Sequence, residues 1–156
     1  METTRVYYFK KFKTGLFVAA LMQLLILTGI INAQDTYTIK GVCKVHDEGE
    51  LYVYLIDKEM FKTPMKGIKK LVYPITNTNN QLKDVSFAFH NIPNGTYAIR
   101  CFIDENGNKK LDRGIFGPRE PWGMSFREKR LKGKPSFSDI KFKAENSIIK
   151  KIIIIK

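Results

Sequence analysis

The sequence has few of the side chains on which most enzymatic reactions depend. Its 156 residues include two histidines, two cysteines and one tryptophan. The histidines are dispersed, with His46 in a predicted turn and His90 beside Phe89 on the outer side of a predicted strand. No G-x-S-x-G nucleophile elbow occurs, and Cys101 has no evident histidine partner. Nucleophilic catalysis by serine or cysteine is therefore not supported.

Acidic side chains leave one catalytic alternative open. Glycoside hydrolysis needs two carboxylic acids at a defined separation across the bond that is cleaved. The candidate acids, all between residues 104 and 120, are Asp104, Glu105, Asp112 and Glu120. The sequence does not determine their separation. A carbohydrate-active or other hydrolase that uses these loop carboxylates is therefore the alternative to a protein without enzymatic activity.

Acidic residues are outnumbered by basic ones, 15 against 27, which gives a formal net charge of +12. Without residues 1–33, which contain four basic residues and one acid, the remainder has 23 basic and 14 acidic residues and a net charge of +9. Solubility explains such a surplus, and so does an anionic partner. For an exported protein we expect a glycan, a peptide or an anionic cell-envelope surface as partner, and no nucleic acid.

Long apolar runs are confined to residues 16–31, which contain no charged residue. Four basic residues precede this run between positions 5 and 13, and it ends in Ile31-Asn32-Ala33. This order is typical of a secretory signal, with cleavage before Gln34. The run is slightly longer than most signal sequences have, so an uncleaved membrane anchor is the alternative. We predict a signal peptide at 1–33 and a periplasmic or secreted domain at 34–156.

Long amphipathic helices are also missing, and apolar residues alternate with period two instead. The predicted strands cover residues 37–45, 51–56, 68–76, 85–90, 97–103, 140–144 and 147–155. Pro74 marks the third as an edge strand, and residues 57–67 are predicted to contain one helical turn. About seven short strands favour an all-β fold, an antiparallel two-sheet, immunoglobulin-like β-sandwich. Residues 104–138 have no sustained period and are predicted to form a long functional loop.

The two cysteines lie on predicted inward faces, Cys43 with Ile39 and Cys101 with Ile103. Export would bring them into an oxidising compartment, where disulfides persist. The pattern is equally consistent with two buried thiols that act as small apolar residues. Both interpretations stay open at this point.

The clearest functional signal is D-E-N-G-N-K-K-L-D at residues 104–112. Oxygen-bearing side chains occupy relative positions 1, 3, 5 and 9, and these are Asp104, Asn106, Asn108 and Asp112. Hard cations such as Ca²⁺ prefer six to eight oxygens, and such spacing curls a loop around one centre. The carbonyl of Lys110, at position 7, and the carboxylate of Glu120 are candidates to complete the shell.

The match to an EF-hand loop is incomplete, since Lys109 replaces the glycine of position 6 and Ile115 replaces the glutamate of position 12. The alternative is a polar turn whose Asp and Asn side chains bind their own backbone.

Aromatic residues follow in the glycine- and proline-rich segment 114–126, namely Phe116, Trp122 and Phe126. Aromatic side chains on a rigid loop can form a platform for a sugar or a peptide. Alternatively, Trp122 closes one end of the sandwich. A basic run at 127–134 then suggests contact with an anionic surface or a solvated loop.

Residues 84–126 resemble a family of exported bacterial proteins, domain of unknown function 2141. The matching positions are Pro93, Gly95, Tyr97, Ala98, Asp104, Asn106, Asn108, Asp112, Gly117, Glu120, Gly123 and Ser125. Ile103 stands where the family often has a histidine, and the proline of the last motif is shifted to Pro118. The resemblance implies an exported sandwich like the transthyretin-like and carboxypeptidase regulatory domains, and it implies no known activity. We therefore expect a non-enzymatic binding or accessory module with a calcium loop.

Overall fold

The computed structural model describes residues 35–76, 79, 81–125, 135–145 and 148–153. The predicted signal sequence lies outside these residues and stays a prediction, as do Phe126 and the basic run at 127–134. Residues 35–156 cluster as one compact unit. Neither helix in the described ranges is long or apolar enough to cross a bilayer.

Strands dominate the described part of the chain. They are β1 (Thr36–Val45), β2 (Gly49–Ile56), β3 (Lys69–Ile75), β4 (Lys83–Pro93), β5 (Gly95–Asp104), β6 (Arg113–Gly114), β7 (Gly117–Pro118), β8 (Trp122–Met124), β9 (Phe142–Ala144) and β10 (Ile148–Ile153). Two short helices accompany them, α1 (Lys58–Phe61) and α2 (Phe137–Ile140). The helical turn predicted within 57–67 is confirmed as α1, whose first turn is capped by the Asp57 carboxylate on the N–H of Met60 at 2.7 Å.

Two sheets form the predicted sandwich. One has the order β10-β1-β4, and the other has the order β3-β2-β5-β8 with β9 also paired to β5. Strands β6 and β7 form a separate small hairpin. All pairs are antiparallel except β1 with β10, which run parallel. The fold class is confirmed, although the described part contains more strands than the seven predicted and one parallel pair.

Alternation decides what the two sheets bury between them. In β2 and β5, every second residue points to the other sheet, where it meets the inner face of β1 and β4. This inter-sheet core is almost entirely aliphatic and aromatic, and it comprises Ile39, Cys43, Val45, Leu51, Val53, Leu55, Ile75, Phe87, Phe89, Ile92, Tyr97, Ile99, Cys101, Ile103, Phe142, Ala144 and Ile152. The inward direction predicted for both cysteines is confirmed.

The outer face of the second sheet is buried as well. Tyr52, Tyr54 and Phe102 stack there, with the rings of Tyr52 and Phe102 only 5.0 Å apart. The hydroxyl of Tyr52 donates to Glu50 at 2.7 Å, and this bond, together with burial, raises the pKa of Tyr52 to about 12. The guanidinium of Arg100 donates to the carbonyls of Thr63 and Lys66 at 2.5 Å each, which fixes the α1 segment over this face.

The sequence predicted one long irregular loop at 104–138, and this prediction is wrong. The described residues of the segment contain β6, β7, β8 and the first half of α2. The strand predicted at 140–144 is likewise wrong in its first two residues, because Ile140 ends α2 and β9 begins only at Phe142. The carboxylate of Asp139 accepts the N–H of Ser136 at 2.8 Å, and this capping contact starts a helix where the apolar pattern alone indicates a strand.

Candidate functional site

The polar loop, residues 104–112, leaves β5 at a buried carboxylate. The side chain of Asp104 is 1% exposed. Its oxygens accept three main-chain N–H groups, from Gly107 at 2.8 Å, Asn108 at 3.2 Å and Lys109 at 2.6 Å. A buried carboxylate is tolerated only when such donors replace water. The loop is therefore curled around Asp104.

The polar loop has a left-handed residue at Lys109. This residue has a φ of 61°, in the left-handed region that favours glycine. Gly107, two residues earlier, has a φ of 75°. EF-hand loops have glycine at relative position 6 because the chain turns sharply there. The polar loop makes the turn at the same position with a lysine, and the bond from Lys109 N–H to Asp104 holds it there.

Two asparagine side chains connect the end of the polar loop, Asp112, to its middle. The carboxylate of Asp112 accepts the side-chain amides of Asn106, at 2.7 Å, and Asn108, at 3.0 and 3.1 Å. The oxygen of Asn106 accepts the N–H of Asn108, and the oxygen of Asn108 accepts the N–H of Lys110. The structure thus brings together all four oxygen-bearing side chains that the sequence singled out. Lys110 joins them through its main chain.

The contacts of this loop also match those of a polar turn that binds its own backbone. Among the described residues, no three His, Cys, Asp or Glu side chains form a group that could hold a metal ion. The carboxylate oxygens face asparagine amide hydrogens and main-chain N–H groups instead.

Glu120 fastens the polar loop to the chain that follows it. Its side chain is 4% exposed, and its two oxygens accept different N–H groups, that of Glu105 at 3.1 Å and that of Asp112 at 2.9 Å. These donors stand at the two ends of the loop. The N–H of Arg119 adds a bond to the carbonyl of Asp112 at 2.8 Å. Glu120 is thus a brace across the loop, whereas the sequence suggested a further cation ligand or one of the carboxylates of a hydrolase.

The hairpin of β6 and β7 places two apolar residues in solvent. Ile115 and Phe116 form its tip, and they are 97% and 103% exposed. Trp122 has a different environment, since it lies opposite Phe102 in the β5–β8 pair and packs against the outer aromatic face. The predicted aromatic platform is therefore distributed between a solvent-exposed tip and a sheet, and its third member, Phe126, lies outside the described residues.

The two cysteines face each other across the sandwich, Cys43 from β1 and Cys101 from β5. Both are buried free thiols. A hydrogen bond between their side chains, and then burial, raise the pKa of Cys101 well above its usual value. The Cys101 sulfur also lies 3.6 Å from the carbonyl oxygen of Gly123. The two thiols therefore interact across the core, and the disulfide stays a prediction.

A depression of about 550 Å³ lies against β1 and β4 and includes Lys40, Tyr73 and His90. None of the four acids that kept the hydrolase alternative open lines it. Two of them, Asp104 and Glu120, are buried and bound to main-chain N–H groups.

Three polar residues are buried in the described part of the chain, namely Asp104, Glu120 and Ser125. Ser125 accepts the N–H of Ile99 at 2.9 Å and donates to the carbonyl of Ile140 at 2.8 Å, so it ties β5 to α2. All three are positions at which the sequence resembles the family motifs. A model of the family of uncharacterised proteins conserved in bacteria, domain of unknown function 2141, matches residues 38–150. The chain belongs to this family.

The family model spans the sandwich from β1 into β10, so the motif residues and the sheets that position them fall within the same match. Comparison with curated proteins and with solved structures found no match. Arg100 is a residue that the sequence reasoning missed. Its position in an alternating strand predicted an outward side chain, but gave no sign that two carbonyls of the α1 segment would receive its guanidinium.

Proposed function

We propose that this protein is a non-enzymatic, exported binding or accessory module whose polar loop binds Ca²⁺ and holds the neighbouring hairpin in place. The observation that best supports calcium is the left-handed turn at Lys109 together with the N–H bonds that curl the loop around Asp104. A lysine is a poor residue for that conformation, so the turn reflects the loop as a whole and not a local preference.

The cation would take the place of the amide hydrogens that now lie between the asparagines and Asp112. Rotation of each side-chain amide exchanges its nitrogen for its oxygen, and the oxygens of Asn106 and Asn108 would then face the same centre as the two aspartates. The carbonyl of Lys110 would be the main-chain ligand, and water would complete the shell. Glu120 keeps its bonds to N–H groups at both ends of the loop and serves as the brace.

Thermal melting in the presence of CaCl₂ or a chelator tests this proposal. A ligand at a hundred times its Kd stabilises the folded state by about 2.7 kcal/mol, which is roughly 10 °C for a domain of this size. Asp112→Ala removes a carboxylate ligand and should abolish most of the rise. Glu105→Ala is the matched control, because it removes an exposed acid of the same loop and leaves the main-chain N–H that Glu120 binds. Superimposable melting curves in Ca²⁺ and chelator would reject the calcium site.

A hydrolase is less well supported by the same contacts. Each oxygen of Glu120 and both oxygens of Asp104 already accept N–H groups, so these carboxylates have a structural task. A general acid or base must instead reach the substrate directly.

A further inference from the structure

The tip of the β6–β7 hairpin reverses the normal burial of apolar residues. Ile115 and Phe116 are adjacent and almost fully exposed, at 97% and 103%. The next most exposed large apolar residue in the described ranges is Leu82, at 59%. Single exposed apolar residues are common on protein surfaces. Two adjacent ones at the apex of a hairpin form an exposed apolar patch, and such patches mark sites of interaction.

Basic residues surround this tip. Arg113 and Arg119 occupy the two sides of the hairpin, and Lys109 and Lys110 precede it in the polar loop; all four are exposed. Most of the nearby acids are less accessible, because Asp104 and Glu120 are buried on N–H groups and the half-buried Asp112 carboxylate accepts asparagine amides. The fully exposed charged side chains next to the tip are therefore basic, apart from Glu105.

The shape of the hairpin suits insertion more than it suits a pocket. Its two apolar residues lie between Gly114 and Gly117, and a Cβ atom placed on Gly117 would meet nothing within 4 Å. The base is held by the bond from Arg119 N–H to the carbonyl of Asp112 and by the Glu120 brace. Sugars and small ligands bind in concave sites, whereas this tip is narrow, convex and anchored only at its base.

We propose that the tip docks on an anionic lipid bilayer, with Ile115 and Phe116 entering the boundary between headgroups and acyl chains. The neighbouring arginines and lysines would lie at the level of the lipid phosphates. An apolar element combined with basic residues is the arrangement that gives stable attachment to an anionic membrane surface. This inference names the partner for the proposed binding function. Its test is done in chelator, so that its outcome is independent of the calcium site.

Vesicle co-sedimentation measures the attachment. We expect the protein to bind vesicles of phosphatidylglycerol mixed with phosphatidylcholine, to bind phosphatidylcholine alone weakly, and to be released by added salt. Replacing both tip residues, Ile115→Ser with Phe116→Ser, should lower the partition coefficient at least about tenfold, since the apolar area that enters the bilayer is lost. Arg113→Gln should lower it about fivefold. Leu82→Ser is the matched control and should leave binding unchanged.

Phe116→Trp reports insertion directly. Its fluorescence, after subtraction of the Trp122 signal of the unmodified protein, should shift to the blue on anionic vesicles and be quenched by brominated acyl chains. Circular dichroism and melting of the tip variant confirm that loss of binding is not loss of folding. Equal vesicle binding by the protein with and without its tip residues would overturn the proposal. Failure of the unmodified protein to bind anionic vesicles, or a dimer in lipid-free solution that disappears in the tip variant, would also overturn it.

Discussion

The inter-sheet core and the segment 104–120 are stabilised in opposite ways. The core buries aliphatic and aromatic side chains between two sheets. The segment instead buries two carboxylates, Asp104 and Glu120, and leaves Ile115 and Phe116 in solvent. Hydrophobic burial supports the first, and charge-assisted bonds to main-chain N–H groups support the second. Because these bonds hold the segment from within, it is able to present Ile115 and Phe116 outward.

The largest expected effect is on the core side of this comparison. Oxidation by an added disulfide such as oxidised glutathione, which accepts two protons and two electrons from the thiols of Cys43 and Cys101, would join the two sheets. The chain-entropy model predicts a gain of about 4 kcal/mol for so long a loop. Urea unfolding with and without reductant measures it, and the double variant Cys43→Ala, Cys101→Ala should show no difference between the two conditions. Two thiols that titrate in the unfolded, unreduced protein would exclude the bond.

The next effect is on the segment side. Asp104→Ala leaves three main-chain N–H groups without their acceptor, and we expect a loss of about 3 kcal/mol in the free energy of unfolding. Asp84→Ala is the control, since its carboxylate forms an exposed ion pair with Lys44 that should contribute about 1 kcal/mol or less. If both variants unfold at the same urea concentration, the buried carboxylate does not support the segment as we describe.

The smallest effect concerns the turn itself. Lys109→Gly removes the steric cost of a side chain at positive φ and should stabilise the protein by about 1 kcal/mol. Lys110→Gly, one position on and outside the left-handed region, should give no gain. Thermal melting in chelator separates them. A lower melting temperature for Lys109→Gly would mean that the lysine side chain contributes contacts that outweigh the strain.

The main strands could be predicted from the sequence because their alternation is regular. β1, β2, β4 and β5 lie where the period-two pattern places them, and Cys43 points inward as expected. The burial of the outer face was not predictable, since Tyr52 and Tyr54 suit a solvated face as well as a covered one. The parallel pairing of β10 could not be predicted either, because periodicity indicates which face of a sheet a residue occupies and not which strand lies beside it.

In the candidate site, sequence spacing alone indicated a curled loop at residues 104–112, and the structure has one. The bracing role of Glu120 could not be predicted from the sequence. Glu120 lies 15 positions after Glu105, and its partners are main-chain N–H groups, which every non-proline residue has. The turn at Lys109 was concealed for a similar reason, since lysine does not mark a left-handed conformation. Exposure of Phe116 was not predictable either, because an aromatic residue in a glycine-rich segment suits a ligand platform or a core equally.

The parallel pairing of β10 with β1 has a consequence for the order of folding. Ile39 and Ile148 are partners although 109 positions separate them. At ribosomal rates of about 5–20 residues per second, β1 waits roughly 5 to 20 s for its second neighbour to be synthesised. During that time one edge of β1 is open to other chains, and Lys40 and Lys44 are the residues in it that discourage such pairing. The risk of misassociation is therefore set by the interval before β10 arrives and not by the stability of the finished sandwich.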